Sequence, residues 1–169
     1  MSYTNVKSKW SGGNLTFSAA DGTTLAKFDG TSLEQLFVPG AVRNLRRRAT
    51  TAEVNAGLEL LPALPGYKYR LVDVTLIAIG GNAATATSVD IVGTSGTSAV
   101  RPIVAAVAAL TRSAVVKPNS ANVAVLADGA SFVAMDENSG IYVSKQAAGS
   151  NLATATHVDV ILDYVIEEA

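Results

Sequence analysis

The stretch His157-Val-Asp-Val-Ile-Leu-Asp-Tyr-Val-Ile-Glu-Glu168 near the end of the chain decides the fold class. Its apolar residues fall at every second position from Val158 to Ile166, and the positions between them are mixed in polarity. Side chains along a β-strand alternate between the two faces of a sheet. The spacing therefore predicts one long strand with a continuous apolar face.

Further strands are predicted upstream of this one. The run 67–79 is rich in β-branched and aromatic residues, and the run 100–110 is read as extended because Pro102 disfavours a helix there. Other strands are expected at 58–61, 87–92, 113–117, 123–126, 131–135 and 141–145, with Gly, Pro, Asn and Asp between them. About eight or nine strands at this spacing predict an all-β, jelly-roll-like β-sandwich.

The first fifty residues differ from the rest. Alternating runs at 14–18 and 24–28 flank Asp21-Gly22, which indicates a β-hairpin. This region also holds the only tryptophan and three of the four phenylalanines, namely Trp10, Phe17, Phe28 and Phe37. An isolated unit of two or three strands is marginal in water. These aromatic residues therefore need a covering surface, which belongs either to the main domain or to a partner.

A basic cluster, Arg46-Arg47-Arg48, follows this region. After it, Thr50 to Glu53 carries the signature of a capped helical turn that ends near Gly57. We place a boundary here, with an N-terminal arm at 1–50 and a β-sandwich domain at 51–169. The arginines are read either as a solvated linker or as an anchoring patch for an acidic or carbonyl-rich partner surface. No flanking aromatic platform supports a nucleic-acid site.

Composition narrows the classes of partner. Among the 169 residues there is no cysteine, which excludes disulfides, thiolate-bound zinc and a cysteine nucleophile. The net charge of −1 predicts no attraction to nucleic acid, and the longest apolar run, 103–110, is too short for a membrane helix. Only 16% of residues are charged, against about 25% in an average soluble protein. A charge-poor surface is typical of subunits that cover one another in an assembled particle.

The sequence contains no catalytic or metal-binding motif with the required spacing. The single histidine, His157, has no Gly-x-Ser-x-Gly element to accompany it, and the stretch Asp136 to Gly140 lacks the spacing of a calcium loop. Tyr67 and Tyr69 share one face of a predicted strand, where sheet packing is favoured over a sugar-binding groove. We therefore predict no catalytic residue, no metal site and no cofactor, and a protein that is not an enzyme.

Two stretches resemble a known family. The first comprises the opening Met1-Ser-Tyr-Thr-Asn-Val-Lys-Ser-Lys-Trp10, then Gly13-Asn-Leu-Thr-Phe17 and Ala26-Lys-Phe-Asp-Gly30. The second comprises Thr51-Ala-Glu-Val-Asn-Ala-Gly57, Leu61-Pro-Ala-Leu-Pro-Gly66, Val72-Asp-Val-Thr-Leu-Ile-Ala-Ile-Gly-Gly81, Ala84-Thr-Ala-Thr87 and Val89-Asp-Ile91. Together they are similar to head proteins of tailed bacteriophages, and in particular to capsid decoration, or cement, proteins.

The resemblance implies a homotrimer that is made in the host cytoplasm and seated on the outside of the virion capsid, where it bridges major capsid subunits. On this basis we expect the capsid contacts to involve Trp10, Phe17, Phe28, Phe37, Arg46, Arg47 and Arg48. Several arms in one oligomer would give avidity. The main alternative is a receptor- or carbohydrate-binding module of a phage tail or spike, because sandwiches also serve as lectins. A hydrolase on a β scaffold is a weaker alternative.

Overall fold

The chain divides into two compact units, Met1–Pro39 and Gly40–Ala169. We call them the N-terminal unit and the body. A computed structural model describes the backbone of four strands in the N-terminal unit, and residues 41–169 of the body apart from 96, 97, 119, 147 and 148.

The N-terminal unit contains one antiparallel sheet in the order β1-β2-β3-β4. Its strands are β1 (Lys7–Ser11), β2 (Asn14–Ser18), β3 (Thr24–Phe28) and β4 (Leu33–Glu34). The two strands of the predicted hairpin, β2 and β3, pair at the centre of this sheet, and the predicted turn at Asp21-Gly22 lies outside the described residues. Antiparallel pairing of these four short strands fixes which residues lie opposite one another.

The body begins with β5 (Arg43–Thr50) and the short helix α1 (Thr51–Ala56). The strands that follow are β6 (Leu58–Leu61), β7 (Tyr67–Ile79), β8 (Ala83–Ala84), β9 (Ser88–Ser95), β10 (Ser98–Ala106), β11 (Val115–Val116) and β12 (Val123–Val125). A 3-10 helix (Ala127–Phe132) precedes β13 (Ile141–Lys145), β14 (Ala153–Thr154) and β15 (His157–Glu168). The run 100–110, predicted to be extended, is a strand as far as Ala106, and a turn follows at 107–109.

The all-β prediction is confirmed, and the arrangement is that of a β-sandwich. One sheet has the order β11-β7-β15-β5, a second has the order β12-β10-β9-β13-β6, and β14-β8 form a small third sheet. The core draws on both large sheets: Leu71, Leu76, Leu162, Ile91, Ile103 and Val143 are fully buried. The segment after the 3-10 helix ties the sheets together, since Met135 N–H donates to Tyr69 O at 2.7 Å and Asp136 N–H donates to Thr94 O at 3.2 Å.

Strand β15 pairs with β7 on one side and with β5 on the other, so it lies in the interior of its sheet. The predicted apolar face is buried at Val158, Val160, Leu162 and Ile166. Burial of an interior strand against a second sheet explains why the alternation in this stretch is so clear.

A β-bulge interrupts the alternation in β7. Asp163 lies opposite Asp73 and Tyr164 lies opposite Leu71, so Val72 is an extra residue on β7. The buried positions consequently change phase, from Tyr69 and Leu71 before the bulge to even-numbered positions after it. An inserted residue shifts all later side chains to the other face unless the strand bends. In the long apolar run of β7, the buried residues therefore fall at odd-numbered positions before Val72 and at even-numbered positions after it.

The domain boundary lies at Pro39 and Gly40, earlier than the predicted boundary at residue 50. The physical reason is that β5 pairs with β15 along its whole length, from Arg43 opposite Tyr164 to Thr50 opposite His157. Residues 43–50 are therefore an edge strand of the body. The predicted helix cap directly after it is confirmed, with Thr50 and Glu53 in a reciprocal capping box and Gly57 in the left-handed conformation at φ 84°.

The prediction of a strand at 131–135 is wrong. Ser131 closes the 3-10 helix instead: its buried hydroxyl accepts a hydrogen bond from Leu126 N–H at 2.7 Å and donates to Pro102 O. Phe132 ends that helix, and the chain then continues without strand pairing to Gly140. Local side-chain bonds of serine compete with the strand ladder, which the apolar pattern alone does not reveal.

Candidate interaction surfaces

Two of the three clustered arginines converge on one buried carboxylate. Arg48 lies directly opposite Asp159 in the β5-β15 pair. Arg48 Nε donates to Asp159 Oδ1 at 2.7 Å, and Arg48 Nη2 donates to Oδ2 at 2.9 Å. Arg46 Nη2 lies 3.6 Å from the same Oδ2. The Asp159 side chain is 3% exposed, and both of its oxygens have partners within the body.

This ion pair has a clear electrostatic consequence. The hydrogen bond from Arg48 holds the pKa of Asp159 below its ordinary value of 3.8, against the opposing effect of burial. The same bond raises the pKa of Arg48. Asp159 is therefore charged at neutral pH, and it anchors the edge strand β5 to β15.

Arg47 points to a different partner, because successive residues of a strand alternate between faces. Its Nη2 donates to Glu53 Oε1 at 3.0 Å. The hydrogen bond from Thr50 N–H, at 2.7 Å to Glu53 Oε2, is the main reason that the pKa of Glu53 is lowered. The Arg46–Arg48 cluster thus has partners inside the body. Charged side chains on an open sheet edge also deter strand pairing with other chains. Capsid contact by these arginines stays a prediction.

Other charges on the outer face of the β11-β7-β15-β5 sheet are also matched. Asp73 and Asp163 lie directly opposite each other, an arrangement of like charges that is unfavourable alone. Asn44 Nδ2 donates to Asp163 Oδ1 at 2.7 Å, and Lys117 forms an ion pair with Asp73. The bond to Asp73 raises the pKa of Lys117. Each carboxylate therefore has its own polar or basic partner.

The N-terminal sheet places the predicted aromatic residues in register. Trp10 lies opposite Leu15, and Leu15 lies opposite Phe28, which in turn lies opposite Leu33. The neighbouring row is polar and comprises Lys9, Thr16, Lys27 and Glu34. Phe17 occupies the next row, opposite Ser8 and Ala26, and Phe37 lies outside the described residues. Rows two residues apart occupy the same face of a sheet, so these positions define one apolar face and one polar face.

Leu15 and Leu33 belong to this apolar face but were not singled out in sequence. Leu15 is two residues from Phe17, and that period-2 spacing was the available signal. Leu33 was harder to predict, because β4 has only two residues and no pattern of its own. Its place depends on pairing with Phe28 on β3.

The two tyrosines of the alternative sugar groove differ in burial, and Tyr67, the first residue of β7, is half-buried. Tyr69 is buried, its hydroxyl donates to Pro62 O at 2.7 Å, and its ring packs edge-on against Tyr164 at 5.8 Å between centroids. Burial raises the pKa of Tyr69 to about 12. This favours the sheet-packing interpretation. His157 contacts Thr156 Oγ1 through Nδ1 at 3.0 Å, a local contact at the start of β15.

A second buried carboxylate, Asp90, was missed in sequence. It lies on β9, faces away from the core, and is 1% exposed. Its Oδ2 is paired with Arg101 Nη1, but within the described part of the chain its Oδ1 has no hydrogen-bond partner. Asp90 and Arg101 line an open cavity of about 420 Å³ together with Ser88, Val104, Ala106 and Gln146. The only sequence signal was a carboxylate in an apolar strand.

A β-bulge brings Arg101 to Asp90. In the β9-β10 pair, Val100 lies opposite Gly93 and Ile103 lies opposite Ile91, so Arg101 and Pro102 together face one residue. Proline has no backbone donor and is tolerated at such bulges, which often redirect a neighbouring side chain. The Arg101-Pro102 dipeptide therefore explains a pairing that strand alternation does not predict.

Exposed apolar side chains form a patch near the 3-10 helix. Val133 is 59% exposed, and Val125 and Leu126 are also exposed. Leu126 and Val133 line a small cavity of about 170 Å³ with Val100 and Ala130. Clustered exposed apolar residues are a common mark of protein–protein contact.

Across residues 41–169, apart from the few positions not described, no group of three His, Cys, Asp or Glu residues is placed to hold a metal ion. In the same part of the chain, no helix has the length and apolar character needed to cross a membrane. Comparison with protein-family models, curated proteins and solved structures finds no match.

Proposed function

We propose that this chain is a virion structural protein of the capsid decoration, or cement, type. It binds the outside of a tailed-phage head and stabilises contacts between major capsid subunits. The observation that carries the proposal is the alternation of apolar and polar rows across the N-terminal sheet. The resemblance of the same residues to phage head proteins supplies the identity of the partner.

The apolar face of a four-stranded sheet needs a second layer, because a single sheet cannot bury it. In the body, the two large sheets supply that layer to each other, as the buried leucines and isoleucines from both sheets indicate. For the N-terminal unit, we assign the second layer to the capsid surface. Trp10, Phe17, Phe28 and Phe37 provide the apolar contacts, with Arg46, Arg47 and Arg48 as polar contacts nearby in sequence.

The body is assigned to self-association, as a homotrimer. The exposed Val125, Leu126 and Val133 patch supports this role, since apolar side chains are usually covered in an assembly. A trimer presents three N-terminal units, and linkage of three modest interactions gives a much tighter overall attachment. Light scattering of the purified chain tests the trimer directly.

We infer further that the sandwich has jelly-roll connectivity. Strands β8 and β14 form a separate small sheet, and β12 adds an edge strand beside β10, so the connectivity is traced through the other eight strands of the body. The first pairs with the last (β5-β15), the second with the seventh (β6-β13), the third with the sixth (β7-β11) and the fourth with the fifth (β9-β10). A long antiparallel ribbon rolled into two sheets gives this nesting, which supports the finer assignment.

The experiment compares two adjacent positions on β3 in the full-length chain. Phe28→Ser alters the apolar row and Lys27→Ser alters the polar row, one residue away. Purified heads that lack this protein are mixed with each variant, and bound protein is measured after sedimentation. We expect at least tenfold weaker binding for Phe28→Ser and near-normal binding for Lys27→Ser. Equal binding by both variants would contradict the assignment of the apolar face to the capsid.

A further inference from the structure

We propose that the cavity beside Asp90 and Arg101 binds a neutral saccharide, with Asp90 Oδ1 accepting a hydrogen bond from a sugar hydroxyl. The site lies on the outer face of the five-stranded sheet. It is separate in function from capsid attachment, which the proposal above assigns to the N-terminal unit.

The first argument is the unsatisfied oxygen. Asp90 is 1% exposed and, among the described residues, only its Oδ2 has a partner, whereas both oxygens of Asp159, which is 2% exposed, are engaged. Buried polar atoms in folded proteins nearly always find a partner, and an orphan calls for a specific explanation. Because Asp90 lines an open cavity, a donor from a ligand can supply the missing bond.

The Arg101 side chain is 32% exposed and pairs with a carboxylate that is 1% exposed. Asp90 Oδ1 is itself buried, so the proposal requires a side chain that lines the cavity to move before a ligand can reach it. We assign this movement to Arg101, the long side chain beside the carboxylate, with its guanidinium kept on Oδ2.

The second argument is charge. Arg101 already neutralises Asp90, so a further cation at Oδ1 would meet the positive guanidinium. A neutral donor avoids that repulsion. Hydroxyl groups fit best, since one hydroxyl can donate to Asp90 and accept from Arg101 or from the amide of Gln146.

The third argument is the shape and lining of the cavity. Val104 and Ala106 form an apolar floor, and Ser88 and Gln146 add groups that both donate and accept. A sugar ring has the matching combination of C–H surface and hydroxyl rim. The volume of about 420 Å³ lies at the low end of small-molecule sites. A second cavity of about 290 Å³ shares Val104 and Ala106 and extends to Asn122, which leaves room for a second sugar unit.

The test is an NMR titration of the ¹⁵N-labelled full-length chain with D-glucose, D-galactose, N-acetyl-D-glucosamine and L-rhamnose. We expect saturable amide shifts, centred on Ser88, Asp90 and Ala106, for at least one sugar at millimolar concentration. Ala106→Leu, which fills the floor of the cavity, should weaken binding at least tenfold. Ala108→Leu, on the exposed turn after the same strand, should leave it unchanged.

Further experiments identify the source of the saccharide and distinguish this site from capsid attachment. Binding to immobilised glycans that is lost in Ala106→Leu assigns the site to surface glycans, whereas binding of free sugars alone assigns it to soluble saccharides. The Ala106→Leu variant should bind heads normally. A negative result in the sugar titrations therefore does not count against the proposed capsid attachment. Absence of saturable shifts with every sugar, shifts that Ala106→Leu does not alter, or binding of n-butylammonium in place of sugars would overturn the saccharide assignment.

Discussion

The two units of this chain use the same kind of sheet in different ways. In the body, two large sheets contribute fully buried side chains to one core, and their outward charges are matched, as in the Arg48–Asp159 pair. In the N-terminal unit, the described strands form one sheet whose rows alternate between apolar and polar. Under the proposed function, stability and attachment are separable: the body supplies its own second layer, and the N-terminal sheet takes its second layer from the capsid.

The strongest way to test this separation is to weaken the body alone. Leu162 is fully buried on β15, and Leu162→Ala should lower the free energy of unfolding of the body by about 2–5 kcal/mol. Far-UV circular dichroism in denaturant follows the body, which holds most of the strands. Fluorescence of the single tryptophan, Trp10, follows the N-terminal unit and should not shift.

The control for this variant is Ile161→Ala at the next position, which is only partly buried and should cost less. If Leu162→Ala moves the Trp10 transition together with the body transition, the N-terminal sheet is covered by the body of its own chain, and the proposed separation fails.

A smaller effect is expected at the buried ion pair. Asp159→Asn should destabilise the body by about 1–3 kcal/mol at neutral pH, because the variant loses charged hydrogen bonds to Arg48. The folded-state pKa of Asp159 lies below its ordinary 3.8, so its stabilisation is present above that value and is lost as the pH falls through the folded pKa. The difference between wild type and variant should therefore be constant from about pH 5 to 8 and shrink toward pH 3.

Denaturant titrations of both proteins at each pH measure this difference. Arg46→Ala serves as the comparison, since Arg46 is 66% exposed and lies 3.6 Å from Asp159, and it should change stability little. A difference between wild type and Asp159→Asn that grows as the pH falls would refute the stated role of the carboxylate.

The smallest effect is expected at the helix cap that follows the basic cluster. Thr50→Ala removes the side-chain acceptor for Glu53 N–H, which lies 3.2 Å away, and should lower stability by about 1 kcal/mol. Thr51→Ala, inside the helix, should be near neutral because alanine favours helix. Thermal unfolding of the two variants provides the comparison, and an equal loss in both would mean that the cap contributes nothing specific.

Much of the fold could be predicted from sequence because its signals are local. The alternation from Val158 to Ile166 identified β15, and Thr50 with Glu53 identified the capped turn. The misassigned features depend on distant partners. Residues 43–50 look like a basic linker until Asp159 is placed opposite Arg48, more than a hundred positions away. The bulge at Val72 likewise becomes evident only from pairing with β15.

The candidate sites were less predictable for the same reason. The aromatic residues of the N-terminal unit could be named from composition, but the common face of Trp10, Phe17 and Phe28 required the register of two strand pairs. Asp90 and Arg101 carry no motif, and they meet where the bulge at Arg101-Pro102 shifts the register of β10 against β9. Side-chain satisfaction, which separates Asp159 from Asp90, is a three-dimensional property with no sequence signal.

The most direct test of capsid attachment through the N-terminal unit is the number of copies bound per head. Heads lacking this protein are titrated with the full-length chain and with a chain that begins at Gly40, the first residue of the body. We predict that the full-length protein saturates at a fixed copy number per head, and that the shortened protein stays in the supernatant while its body remains folded by circular dichroism. Equal decoration by a chain that begins at Gly40 would contradict the proposal.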